Sequence, residues 1–156
     1  LAFKKETKKF MKHKIGDLVK EVHDGIIIHQ CNAQGVMNSG IAKQLRETYP
    51  IVYDDYIQEF CKHGNLLGKI IVSAVSPDLV VISVVGQFKY GRDKEVYTSY
   101  VALSQAFLDI KKLIKDLDVE IHHPLIGCGL GGGDWDVVSK IIEDHLGHET
   151  TLWMLP

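Results

Sequence analysis

Two glycine-rich stretches, each set between a strand-length apolar run and a helical pattern, constrain this chain more than any other feature. The second is Ile126-Gly127-Cys128-Gly129-Leu130-Gly131-Gly132-Gly133, which opens into a helical pattern at Asp134. The first, residues 32–40, follows the run Gly25-Ile26-Ile27-Ile28-His29-Gln30 and leads into a helix over 42–49. Glycine lets backbone N–H groups approach a ligand closely, and a helix start adds partial positive charge. Two such cradles point to an α/β chain that grips a phosphorylated ligand, a nucleotide above all, from both sides.

The remaining pattern supplies the frame. Residues 12–15 read as a short strand before Gly16-Asp17-Leu18, and residues 25–30 read as a strand buried on both faces. Past Pro50 a helix is expected over 51–63. The β-branched runs 69–75 and 79–85 flank the turn signal Ser76-Pro77-Asp78, which suits an antiparallel pair. The longest helix is expected over 96–117, where Tyr100, Leu103, Phe107, Ile110, Ile114 and Leu117 form one apolar stripe. A strand over 120–124, a helix capped by Asp134 and reaching 146, and a strand over 150–154 complete a mixed sheet flanked by helices.

Composition narrows the class. With 46% apolar and 24% charged residues, the 156-residue chain is that of an ordinary soluble globular domain. No apolar run approaches the roughly 20 residues that cross a bilayer, and no signal-peptide pattern opens the chain, so a cytoplasmic protein without membrane contact is expected. Cys31, Cys61 and Cys128 form no close-spaced pairs and read as free thiols. The net charge of −2 argues against general attraction to nucleic acid. Lys4, Lys5, Lys8, Lys9, Lys12 and Lys14 mark residues 1–11 as a flexible basic extension, leaving 12–156 as the folded domain. An anionic partner is the alternative for that stretch, and Met11 is a candidate initiator.

The glycine stretches fail the common phosphate-binding templates. Gly127, Gly129 and Gly132 match Gly-x-Gly-x-x-Gly, but the following strand carries no acid for a ribose, so a dinucleotide fold is excluded. No Lys-Ser or Lys-Thr follows Gly132, which excludes a Walker loop. Asp134 stands where a cysteine phosphatase needs arginine, and Cys128 has no neighbouring cation to lower its pKa. It reads better as a small loop residue than as a nucleophile. His122 and His123 face opposite sides of a strand, and His145 with His148 lacks a third ligand. No metal or cofactor is expected.

Motif order resolves the alternatives. Gly16-Asp17-Leu18, Ile28-His29-Gln30-Cys31-Asn32, Asn38-Ser39-Gly40-Ile41-Ala42 and Pro124-Leu125-Ile126-Gly127-Cys128-Gly129-Leu130 follow one another as in macro domains. The chain resembles that family over residues 12–155. Through Tyr49-Pro50, Asp55-Tyr56 and Leu66-Leu67-Gly68-Lys69 it is most similar to the branch of the fungal ADP-ribose-1″-phosphate phosphatase and the terminal ADP-ribose protein glycohydrolase. The resemblance implies a three-layer α/β/α fold with a mixed, mostly parallel central sheet. It implies binding of ADP-ribose or ADP-ribose-1″-phosphate and its hydrolysis, or removal of ADP-ribose from a protein or nucleic acid. A non-catalytic ADP-ribose reader is the alternative, and a different nucleotide or an RNA end is a weaker one.

The same resemblance assigns roles to residues. Asp17 would accept the adenine amino group and Leu18 would offer a backbone N–H; capping a turn is the structural alternative for Asp17. Asn32 would hold the distal ribose and take part in catalysis, or else bond its own loop. Asn38, Ser39, Gly40 and Ile41 would contact the diphosphate or distal ribose, or narrow the cleft. Gly127, Cys128, Gly129, Leu130, Gly131 and Gly132 would wrap the diphosphate and the distal phosphate or ribose. Phe88 or Tyr90 would cover the ribose, because Gly131 replaces the aromatic or acid of relatives, or else both are ordinary loop aromatics. His29 matches a histidine of the fungal phosphatase and would handle protons, unless strand alternation turns it into the core. Lys89 lies near the glycohydrolase lysine, but its partner acid is missing at Gly131. Asp134, three residues further, reads as a helix cap.

Overall fold

The computed structural model describes residues 11–156. The basic extension expected over 1–11 therefore lies outside the described residues, except Met11, which opens the first strand. Six strands form one sheet: β1 (Met11–Ile15), β2 (Gly25–Asn32), β3 (Ile70–Ala74), β4 (Leu79–Gln87), β5 (Ile121–His123) and β6 (Thr150–Met154). Their order is β1-β6-β5-β2-β4-β3, and every neighbouring pair is parallel except β3 with β4. That one antiparallel pair is joined at the Ser76 turn, where Ser76 Oγ accepts from Leu79 N at 3.0 Å.

Five helices cover the sheet: α1 (Leu18–Glu21), α2 (Gly40–Thr48), α3 (Pro50–His63), α4 (Tyr100–Ile114) and α5 (Trp135–Leu146). Alternation along β2 sends Ile27 and Cys31 to one core with Leu45, Val52 and Tyr56, and sends Ile26 and Ile28 to another with Leu103, Phe107, Ile110 and Ile142. The first core lies under α1, α2 and α3, the second under α4 and α5. The fold is the expected three-layer α/β/α arrangement around a mixed, mostly parallel sheet.

Boundaries shift where side chains compete with the pattern. The helix expected from residue 96 starts only at Tyr100, because Ser99 caps it by accepting from Ala102 N at 3.2 Å. Residues 97–98 are diverted, forming a bridge from Thr98 to Gln87. Past Ile114 the chain leaves the helix through a turn at 115–116, so Leu117 lies beyond α4. Pro50 opens α3 from its first position, where its missing N–H costs nothing. Asp134 caps α5 as expected, accepting from Asp136 N at 2.9 Å.

The parallel strands β6, β5, β2 and β4 end on the same edge, so the segments after them line one rim in that spatial order. Three inter-strand steps place the end of β4 about 14 Å from the end of β6. The crevice at the carboxyl ends of such a sheet is where α/β folds bind ligands. Phe107 is fully buried between the sheet and α5. Phe107→Ala is expected to lower unfolding free energy by about 3–5 kcal/mol, measured by urea titration.

Candidate functional site

A cleft of about 950 Å³ occupies that rim. Its walls are the two glycine loops, closed at one end by Trp153, Met154 and Leu155 at the end of β6 and at the other by Tyr90, Gly91 and Arg92 after β4. Gln30 and Gln87 line it as well.

The first loop is held from below by α3. Tyr56 Oη accepts from Gly35 N at 2.9 Å and donates to the carbonyl of Asn32 at 2.6 Å, while Tyr53 Oη donates to the carbonyl of Gly35 at 3.0 Å. Asn32 turns the loop with its own amide: Oδ1 accepts from Gln34 N at 2.9 Å, and Nδ2 donates to the carbonyl of Val36 at 3.1 Å. The loop then enters α2, whose cap residue Ser39 makes no side-chain cap bond. The first N–H groups of α2, at Gly40, Ile41 and Ala42, therefore border the cleft without a capping oxygen.

The second loop is tied to the segment before α4. Thr98 Oγ1 donates to the carbonyl of Gly127 at 2.7 Å, and Tyr97 N and Thr98 N both donate to the carbonyl of Gly131, at 2.8 and 3.0 Å. Gln30 Nε2 donates to Thr98 Oγ1 at 3.0 Å and to Gln87 Oε1 at 2.7 Å, which joins the loop to the ends of β2 and β4. Gly133 N closes back on the carbonyl of Gly127 at 2.7 Å. Among the described residues, the N–H groups of Gly129, Leu130 and Gly131 take no partner within the loop. The cleft thus has two sets of backbone donors, one on each wall.

This packing explains the glycine at position 131. A Cβ there would stand 2.6 Å from Thr98 Oγ1 and 2.8 Å from the carbonyl of Gly127. An aspartate or an aromatic ring has no room while Thr98 holds the loop. Gly132, at φ +69°, packs its backbone against Glu95, where a Cβ would meet the carbonyl oxygen at 2.5 Å. It supports the wall and is not part of the lining.

Of the residues expected at the site, Asn32, Asn38, Ser39, Gly40, Ile41, Gly127, Cys128, Gly129, Leu130 and Gly131 line the cleft. Asp17, Leu18, His29, Phe88 and Gly132 do not. Leu18 is buried in the core beneath α2. Asp17 caps α1, accepting from Lys20 N at 3.2 Å, and its carboxylate also takes the Gln44 amide at 2.9 Å. Partial desolvation pushes its carboxyl up, but those bonds outweigh it and hold the pKa below the ordinary value. Gly16 N donates to the carbonyl of Met154 at 2.8 Å, which sets Asp17 beside the β6 end of the cleft.

His29 does not reach the cleft. Alternation along β2 points it with Ile27 and Cys31 into the core, where it is fully buried and Nε2 bonds Ser83 Oγ at 2.7 Å. Burial pushes its pKa down to about 4, with only partial opposition from the backbone of Gln30. It has no route to a proton in the cleft. Phe88 does not reach the cleft either: it stays exposed, its carbonyl accepting from Ala33 N and the Gln34 amide, and Tyr90 lines the cleft instead. Cys128 donates to the carbonyl of Ile126, and burial, with Asp134 adding to it, pushes its thiol up to about 11. That is the opposite of an activated nucleophile.

Gln30, Gln87, Thr98, Arg92 and Trp153 were not singled out by the sequence. Trp153 Nε1 donates to His122 Nδ1 at 2.9 Å, and His122 Nε2 faces Glu120 at 3.4 Å. His123, on the opposite face, bonds Thr150 Oγ1 at 2.8 Å. Only the sheet register reveals these partners, since they lie far apart in the chain.

The Macro domain family profile matches residues 28–142. A protein of Enterobacteria phage T4, described only as an uncharacterized 17.5 kDa protein, is 30% identical over 140 residues, covering 83% of this chain and 86% of its own. The ADP-ribose 1''-phosphate phosphatase of Saccharomyces cerevisiae is 29% identical over 150 residues, covering 78% of this chain and 84% of its own. The DNA ADP-ribosyl glycohydrolase of Mycobacterium tuberculosis is 26% identical over 131 residues, covering 80% of this chain but 35% of its own length. The solved macrodomain of Mycobacterium tuberculosis DarG superposes with a TM-score of 0.74 at 22% identity, over 92% of this chain and 96% of that one.

Two outcomes follow from the geometry. Gly131→Asp is expected to lower stability by about 1–3 kcal/mol, measured by urea titration, because the new side chain displaces Thr98. His29 and His123 are both held near pKa 4, below their ordinary 6.5, mainly by burial. The unfolded chain binds protons that the folded chain refuses, so stability is full above about pH 6.5 and falls as pH drops toward 4. Denaturation measured across that window should show these two groups contributing uptake of about two protons on unfolding near pH 5.

Proposed function

The chain belongs to the macro-domain family, and from that premise we propose that its cleft binds ADP-ribose in an extended form and hydrolyses a bond at the distal ribose. The observation that carries this reading is the opposed pair of donor arrays, the uncapped start of α2 and the N–H groups of Gly129, Leu130 and Gly131. A diphosphate between them meets donors from both walls without any metal ion. An adenine fits the end built by Trp153, Met154 and Leu155, where the Asp17 carboxylate can exchange its Gln44 bond for an exocyclic amine. The distal ribose then falls at Asn32, Gln87 and Tyr90, about 10–14 Å away by strand count. ADP-ribose is the part shared by the names of the yeast phosphatase and the mycobacterial glycohydrolase.

Hydrolysis adds water across the bond. For a phosphate ester, the water oxygen bonds phosphorus as the bond to the ribose oxygen breaks, and that oxygen takes the proton. For a macromolecular adduct, water bonds the ribose carbon as that carbon's bond to the macromolecule breaks, and the leaving group takes the water proton. The protein supplies orientation through Asn32 and stabilisation of developing charge through the second loop.

A second reading has its own observation. Among the described residues, no carboxylate and no imidazole lines the cleft, which favours a reader that binds ADP-ribose without turnover. Calorimetry and an assay separate the two. ADP-ribose should bind more tightly than ADP, and ADP more tightly than adenosine; equal affinity for ADP-ribose and ADP overturns the ligand assignment. Release of phosphate from ADP-ribose-1″-phosphate, or of ADP-ribose from modified protein or DNA, establishes the hydrolase, and binding without release establishes the reader. Asn32→Ala should weaken ADP-ribose binding about 10-fold, the value of one or two lost hydrogen bonds.

A further inference from the structure

Arg92 stands at the end of the cleft opposite Trp153, on the segment that follows β4. It is the only charged side chain among the described residues that line the cleft. No ion pair of the described residues involves it. The adjacent acid is committed elsewhere: Asp93 Oδ1 accepts from Tyr97 Oη at 2.5 Å.

The backbone carrying Arg92 is anchored on both sides. Upstream, Gln87 Nε2 donates to the carbonyl of Lys89 at 2.7 Å, and the carbonyl of Phe88 accepts from Ala33 N at 3.2 Å. Downstream, Tyr97 and Thr98 are bonded to Gly131. The exposed Arg92 therefore lies on a segment anchored at both ends, at the β4 side of the cleft.

We propose that Arg92 is a specificity-determining residue that recognises a phosphate carried on the far side of the distal ribose, so that the cleft prefers phosphate esters of ADP-ribose to ADP-ribose itself. This rests on the ADP-ribose reading above. The diphosphate is already provided for by two walls of N–H groups, which leaves the guanidinium for another anion. A planar guanidinium matches phosphate oxygens bidentately. A carboxylate in the lining would pair with it and repel that phosphate, and none is there. The phosphate can be a terminal monoester or a phosphodiester of an attached nucleic acid strand.

Calorimetry tests this on the wild-type protein, Arg92→Ala, Arg92→Lys and the remote charge control Lys112→Ala. The ligands are ADP-ribose, ADP-ribose-1″-phosphate and an ADP-ribosylated single-stranded DNA oligonucleotide. The wild type should bind at least one phosphorylated ligand about 10-fold more tightly than ADP-ribose at low salt, and the preference should shrink as salt screens it. Arg92→Ala should bring the ratio near one, Arg92→Lys should keep part of it, and Lys112→Ala should keep all of it. Preference for ADP-ribose-1″-phosphate identifies the monoester; preference for the oligonucleotide identifies the diester. Equal affinity of the wild type for all three ligands, or a ratio that survives in Arg92→Ala, overturns the role of Arg92 while leaving ADP-ribose binding intact. Failure of every ligand to bind the folded protein overturns the ADP-ribose reading and this one with it.

Discussion

The hydrogen bonds of Thr98 hold the site together. Its hydroxyl and amide reach Gly127 and Gly131 in the second loop, and Gln30 at the end of β2 donates to the same hydroxyl. A loop of five glycines in eight residues has little conformational preference of its own and would lose much entropy on ordering. Bonding two of its carbonyls to one threonine confines it and leaves its central N–H groups without a partner in the loop. The consequences spread outward. Thr98 can serve this way only if the chain delays α4 to Tyr100, and position 131 must then be glycine because the space for a Cβ is taken.

The electrostatics of the cleft depend on what is kept out of it. Residues that invite a chemical role in the sequence are consumed by the core. His29 bonds Ser83, His123 bonds Thr150, and His122 accepts from the indole N–H of Trp153. Burial favours the neutral imidazole and the protonated thiol, so none of these groups competes for an anionic ligand. The lining is left with backbone donors, amides and one guanidinium. Such a surface suits phosphate and ribose, and it achieves this on a chain whose overall charge is slightly negative.

Much of the fold was legible because it rests on period and punctuation. The apolar run of β2, the Ser76 turn, the Asp134 cap and the stripe along α4 each follow from local chemistry, and each is in place. Errors arose where a distant partner decided the matter. Leu18, next to Asp17 at the start of α1, goes into the core with Leu45 and Val52 of other helices. His29 sits on the strand that feeds the first loop, but its own side chain points the other way. Phe88 and Tyr90 are two residues apart, and only the path of the chain after β4 decides which one lines the cleft.

The sequence by itself determined that two glycine loops would stand at strand ends before helices, because glycine content, strand runs and helix starts are local properties. Tertiary structure alone decided which side chains share that space. Sheet order places the end of β4 across from the end of β6 and so sets Arg92 opposite Trp153, although 61 positions of chain separate them. It also brings Thr98 against Gly131. Those pairings depend on register and crossover, and no spacing along a single chain encodes them directly.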